Sequence, residues 1–198
     1  DDWQGLFNDQ LPVVSVLSGA TKNSTSVVVS SASGIAPGDQ LFMDELNDSS
    51  VTYVSAPSYL SRKNGTRARG QMLAVTGVSG NTVTFSDPLY MTYDPGSSPE
   101  AVVFKAGILT KQSGIEDLTV TQDVPNTSAY RGALIALDGV QDCWVKNVEV
   151  ENIVAIGILA MGSLHTEIRD CYIHDSSIEA ADGWIPLAVR GRFGNSYG

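Results

Sequence analysis

At 198 residues with a hydrophobic share of 42%, the chain can bury a substantial core in one domain or two small ones. A formal net charge of −10 argues against nucleic acid or an anionic membrane as partner, since both would be repelled at long range. No apolar run reaches bilayer-spanning length, and no basic-plus-hydrophobic leader opens the chain, so no membrane insertion is expected and Asp1 reads as a mature or excised N-terminus. The acidic balance fits an extracellular, secreted protein. With charged residues at 17%, 19 Gly and 8 Pro, the composition suits short strands and tight turns rather than helices.

From Val13 to about Phe104 the pattern is one of strands and turns. Val27-Val28-Val29 is a compact β run, and the stretch Gly34 to Asp39 turns into Leu41-Phe42-Met43. Gln71 to Val78, then Ser79-Gly80-Asn81, then Thr82 to Phe85 predicts a β-hairpin, because a Gly-Asn turn tolerates positive φ between two β-prone runs. The polar stretch Asn47 to Arg69 is predicted to be an irregular loop. It carries Arg62, Lys63, Arg67 and Arg69, a basic cluster read as solvated or as docking an acidic glycan or an acidic flank of the protein. Asn-x-Ser/Thr sequons stand at Asn23, Asn47, Asn64 and Asn126, all in polar stretches.

From Gly107 onward an imperfect repeat takes over. Ile115-Glu116-Asp117-Leu118-Thr119-Val120, Val140-Gln141-Asp142-Cys143-Trp144-Val145 and Ile168-Arg169-Asp170-Cys171-Tyr172-Ile173 share one pattern, with their Asp residues 25 and then 28 apart, about one turn of a β-solenoid. Ile115, Leu118 and Val120 can face one side only if the strand turns or bulges at Asp117. The expected inward set is Leu118/Val120, Cys143/Val145 and Cys171/Ile173, stacked rung on rung, with Ala133 to Leu137 and Gly157 to Met161 as companion strands. One repeat cannot bury its own apolar face, so neighbours must stack.

These runs, from Ser113-Gly114-Ile115-Glu116-Asp117 through Gln141-Asp142-Cys143-Trp144-Val145 to Arg169-Asp170-Cys171-Tyr172-Ile173-His174-Asp175, resemble right-handed parallel β-helix proteins of the pectate-lyase-like superfamily of bacteria and phages. The resemblance covers about residues 107–176. It implies an all-β fold: a β-rich N-terminal region with hairpins over 1–106, then the coils of a right-handed parallel β-helix over 107–198. It also implies the range of that superfamily, namely polysaccharide lyases and hydrolases, tailspikes and non-catalytic adhesins. One fold hosts all of these, so the chemistry rests on particular residues.

With Leu118, Cys143 and Cys171 inward, Thr119, Trp144 and Tyr172 are expected in one outer column and Thr121, Lys146 and His174 in the next. Trp144 over Tyr172 would stack on a sugar ring, with Lys146 and His174 binding a uronate carboxylate; Lys146, His174 or Arg169 would serve a lyase as base or cation. The competing reading makes the aromatics packing residues. The third column, Asp117, Asp142 and Asp170, is read as turn-forming, with calcium binding or carboxylate catalysis as alternatives. Cys143 and Cys171 are expected at one inward position of adjacent coils, as stacked thiols or a disulfide.

The function expected is therefore binding or acting on a polysaccharide or surface glycan. The alternative is a structural or adhesive protein in which the solenoid is scaffold alone. Trp184 to Val189 reads as one further strand, and Arg190 to Gly198 carries no helix that would cap it. The expectation is a piece of a longer chain, or self-association through the open solenoid end, even into a filament.

Overall fold

The computed structural model describes residues 11–49, 66–122, 133–153, 156–175, 187–192 and 195–197. The sequons Asn64 and Asn126, the cations Arg62 and Lys63, and Trp184-Ile185-Pro186 lie outside them. The chain divides into two units, Asp1–Leu109 and Thr110–Gly198. Among the described residues the helical content is two short 3-10 turns, Pro95–Ser97 and Ala106–Ile108, so the chain is all-β as the composition requires.

The first unit is a closed barrel. Its strands are β1 (Val13–Ser18), β2 (Ser26–Val29), β3 (Gln40–Glu45), β4 (Arg69–Ser79), β5 (Thr82–Phe85) and β6 (Glu100–Phe104), in the order β1-β2-β5-β4-β3-β6, and the pairings are antiparallel. The predicted hairpin is β4–β5: Ser79 pairs with Thr82 across Gly80, whose φ of 58° is the left-handed conformation such a turn needs. A bulge between Val75 and Gly77 lets β4 pair with β3 along its first half and β5 along its second. The inward faces pack Val16, Val29, Leu41, Met43, Leu73, Val83, Phe85, Tyr93 and Val103 into one core. The Gly34 to Asp39 turn precedes β3 as expected, with Gly34 and Gly38 at φ 81° and 92°.

Arg67 and Arg69 do not belong to a solvated loop. Arg67 is 3% exposed and bonds Asp44 Oδ1 at 2.8 Å, the Ser98 carbonyl at 2.9 Å and Glu100 at 3.3 Å. Arg69 bridges Glu45 and Asp48 at 2.8 and 2.6 Å. Pairing of β3 with β4 and with β6 brings these groups together, and the ion pair compensates the burial of Arg67 and Asp44.

The second unit is built of parallel ladders. One sheet holds β7 (Thr110–Lys111), β8 (Gly114–Thr121), β10 (Val140–Gln141), β11 (Trp144–Glu151), β13 (Leu164–Arg169), β14 (Tyr172–Ile173) and β16 (Asn195–Tyr197); the other holds β9 (Ala133–Asp138), β12 (Ile156–Met161) and β15 (Leu187–Arg192). Each pass of the chain lies parallel to the one before it, β11 on β8, β12 on β9, β13 on β11, and β15 on β12. The core is Ile135, Leu137, Val140, Cys143, Val145, Val148, Val150, Ile153, Ile158 and Ala160.

Val145 and Val148 are both buried, although residues three apart in a strand face opposite sides. Asn147 between them has φ 50°, and that single left-handed residue resets the phase. Asp117 and Asp170 do the same at φ 55° and 54°, so the turn demanded at Asp117 is present. Gln112, Asp142 and His165 do so at an earlier corner, at φ 49°, 54° and 52°. Asn and Asp tolerate this conformation better than most other side chains do, and they hold four of these six positions.

Candidate functional site

The ladder register sets which side chains meet. Trp144 pairs with Gly114 and Glu167, Lys146 with Glu116 and Arg169, and Glu149 with Thr119 and Tyr172. Trp144 and Tyr172 are therefore not in one column, and Lys146 and His174 are not in the next. Asp142 does not join Asp117 and Asp170; it lies at the earlier corner, where His165 Nδ1 is 3.1 Å from its Oδ1. The residue between Asp117 and Asp170 is Asn147. The Asp residues recur at 25 and 28, whereas contacting residues are 30 apart between the first two passes and 23 apart between the next two. The same shift separates the cysteines: Cys143 precedes the Gly114 partner Trp144, Cys171 precedes the Glu149 partner Tyr172, and both are free thiols.

The expected site residues thus fall into two groups. Trp144 is half-buried, its indole lying against Gly114 so closely that a Cβ there would sit 2.2 Å from the ring, and its Nε1 donates to Glu116 at 2.5 Å. Lys146 lies beside it in register. The second group is centred on Tyr172, which is 65% exposed and stacks on His174 with ring centroids 4.2 Å apart.

His174 makes contacts at 3.0 Å through both ring nitrogens, Nε2 to Glu149 Oε1 and Nδ1 to Asp175 Oδ2. The hydrogen bond to Glu149, and then that to Asp175, raise its pKa above the ordinary 6.5. Held from both nitrogens, the imidazole presents a fixed face on which the Tyr172 ring stacks. Glu149 also accepts from Thr119 Oγ1 at 3.1 Å, so one carboxylate ties Thr119 to His174.

Beside this cluster runs an open groove of about 360 Å³ across β8, β11 and the turn before β14. Its floor is Leu118 and Val148, and its polar walls are Asp117, Thr119, Asn147, Glu149, Asp170 and Tyr172. Asn147 Nδ2 donates to Asp117 Oδ1 at 2.7 Å, and Arg169 Nη1 to Asp170 Oδ2 at 2.8 Å. An amide between two acids keeps like charges from meeting on adjacent rungs.

Glu149 is the member that sequence reading missed. The alternation Val148-Glu149-Val150-Glu151, apolar in and acidic out, was a signal for it once the phase reset at Asn147 is taken into account. Glu149, Glu151 and His174 bring ligand atoms within 4.8 Å of one another, a spacing a metal ion can use. Both nitrogens of His174 are engaged with carboxylates, and the cluster reads as an ion-paired network.

No protein-family model matches the chain, and no curated protein matches it. Among solved structures, the chain is similar to the tailspike of Pseudomonas phage phi297, at 13% identity and a TM-score of 0.64 over 94% of this chain and 33% of that one. It also matches the tailspike of Pseudomonas phage LKA1, at 19% identity and a TM-score of 0.43 over 89% of this chain and 32% of that one. A third match is the tailspike of Acinetobacter baumannii bacteriophage AP22 in complex with A. baumannii capsular saccharide, at 16% identity and a TM-score of 0.44 over 92% and 33%. The chain spans about a third of the length of these tailspikes. No helix among the described residues is long and apolar enough to cross a membrane.

Proposed function

We propose that the chain is part of an extracellular, tailspike-type protein whose second unit is a right-handed parallel β-helix of the pectate-lyase-like kind, and that its groove at Tyr172 binds polysaccharide. The observation that carries the reading is the exposed Tyr172 ring, clamped by His174 beside a groove walled with hydrogen-bonding side chains. A large exposed aromatic normally gains by burial. Here its rotamer is fixed without being covered, so it presents an apolar face that a sugar ring can occupy at little ordering cost. The likeness of fold to the phi297 tailspike supports the class of protein. Asp117, Asn147 and Glu149 supply the polar contacts that orient a bound sugar. Trp144 and Lys146, on columns separate from that of Tyr172, form a second contact for a longer chain of sugars.

The test is a glycan array probed with the protein, with and without calcium, alongside Tyr172→Ala. Binding that Tyr172→Ala weakens about tenfold, with its fold intact by circular dichroism, supports the reading. Binding to no glycan under either condition contradicts it and leaves the scaffold alternative. Release of new reducing ends from a bound glycan would add turnover to binding.

A further inference from the structure

Resting on that reading, we infer that the Tyr172 groove selects sugar units that are uncharged and rich in hydroxyl donors, and discriminates against uronates. Three carboxylates wall it, Asp117, Glu149 and Asp170. Ionised carboxylates are acceptors only, and each retains acceptor capacity beyond its contact with Asn147, Thr119, His174 or Arg169. A ligand that complements such a wall must bring donors, which neutral hexoses do through their hydroxyls. A uronate keeps ring hydroxyls but replaces one donor with an acceptor-only anion.

The cations nearby do not reverse this. His174 is shared between Glu149 and Asp175, and Arg169 between Asp170 and Glu167 at 3.1 Å, so each positive charge already answers two negative ones. Lys146, expected to join His174 on a uronate carboxylate, instead stands in the Glu116–Arg169 column. The groove is thus net negative within a chain whose formal charge is −10. Repulsion between its walls and an incoming uronate is exposed to solvent and therefore screened by salt.

The experiment compares two sets of probes on the intact protein: neutral glucose, galactose and N-acetylglucosamine oligomers, and the uronates alginate and polygalacturonate. Binding is measured from low to high salt, and again for Asp117→Asn/Asp170→Asn. The expected result is a neutral ligand bound at least about tenfold tighter than either uronate at low salt, with the gap narrowing as salt screens the charges. The double variant should narrow the gap at low salt, and the salt series on the unaltered protein gives the same information should that variant not fold. Uronates bound as tightly as neutral oligomers, or more tightly, would overturn this inference and leave glycan binding standing. No binding of either set would overturn the proposed function and this inference with it.

Discussion

The barrel and the parallel unit handle polar groups in opposite ways. In the barrel all six residues of β3 are buried, Asp44 and Glu45 among them, and charge is neutralised internally by Arg67 and Arg69. Glu45 further accepts from the Asp94 N–H at 2.7 Å, and Tyr93 donates to the Met43 carbonyl at 3.3 Å. In the parallel unit the core cluster is apolar, and charged side chains point outward from residues such as Glu149 and Arg169. Charge in the first unit holds strands in register; charge in the second stands on a surface where a ligand can reach it. Substitutions should separate the two: barrel charges should cost stability, and groove charges should cost recognition.

The largest effect is expected for Arg67→Met. It removes the guanidinium that faces Asp44, whose side chain is fully buried, and breaking one partner of a buried pair costs about 3–5 kcal/mol. Urea unfolding followed on the barrel should show it. A loss below about 1 kcal/mol would place that pair with ordinary surface bridges.

Two glycines sharpen the comparison. A Cβ at Gly70 would lie 2.3 Å from the Phe42 ring and 2.9 Å from the Met43 carbonyl oxygen, with Phe42 only 1% exposed. One at Gly114 would meet the half-buried indole of Trp144, which has solvent to swing into. Gly70→Ala should cost about 3 kcal/mol and Gly114→Ala about 1 kcal/mol, the two ends of the usual overpacking range. Trp144→Ala should rescue Gly114→Ala in a double-mutant cycle, whereas additive losses would show that the ring is not the obstacle.

Asn147 tests the corner. Asn147→Ala puts a β-carbon into the left-handed region at φ 50° and should cost about 1–2 kcal/mol, most of it recovered by Asn147→Gly. Equal losses for both would assign the cost to the amide hydrogen bond with Asp117 instead.

This corner is also where the sequence misleads. Strands, the Gly80-Asn81 turn and the need for a turn at Asp117 are legible, because φ demands and period-two alternation leave local marks. The register is not, because the repeat has more than one left-handed corner and each accepts several residue types. Gln112, Asp142 and His165 fill one, while Asp117, Asn147 and Asp170 fill another. Aligning Asp with Asp joins the wrong corners, and with them the wrong outer columns, which hid Glu149 and set Trp144 over Tyr172. Arg67 and Asp44 were illegible for another reason: only the register of β3 against β4, set by residues 23 apart, brings them together.

The smallest effects concern protons, and the units differ in sign. In the barrel, burial alone would push the Asp39 carboxyl up, but hydrogen bonds from Lys105 and from the Ala106 and Ala36 N–H groups outweigh it and hold the pKa below 3.8. Its stabilisation is present above the unfolded pKa and lost as pH falls through the folded one. In the parallel unit His174 is raised, so its contribution is full below about 6.5 and fades as pH rises through the folded pKa. NMR should find the His174 midpoint above 6.5, returning toward it in Glu149→Gln. A midpoint unchanged by that substitution would remove Glu149 from the cluster.

The most direct test is saturation-transfer NMR between the protein and whichever oligosaccharide it binds on the array, read at the Tyr172 ring protons. Transfer is expected from Tyr172 and His174 to the sugar ring protons, and Tyr172→Ala should weaken it more than Trp144→Ala does. Transfer undiminished in Tyr172→Ala, or arising from the barrel unit, would contradict the groove as the binding site.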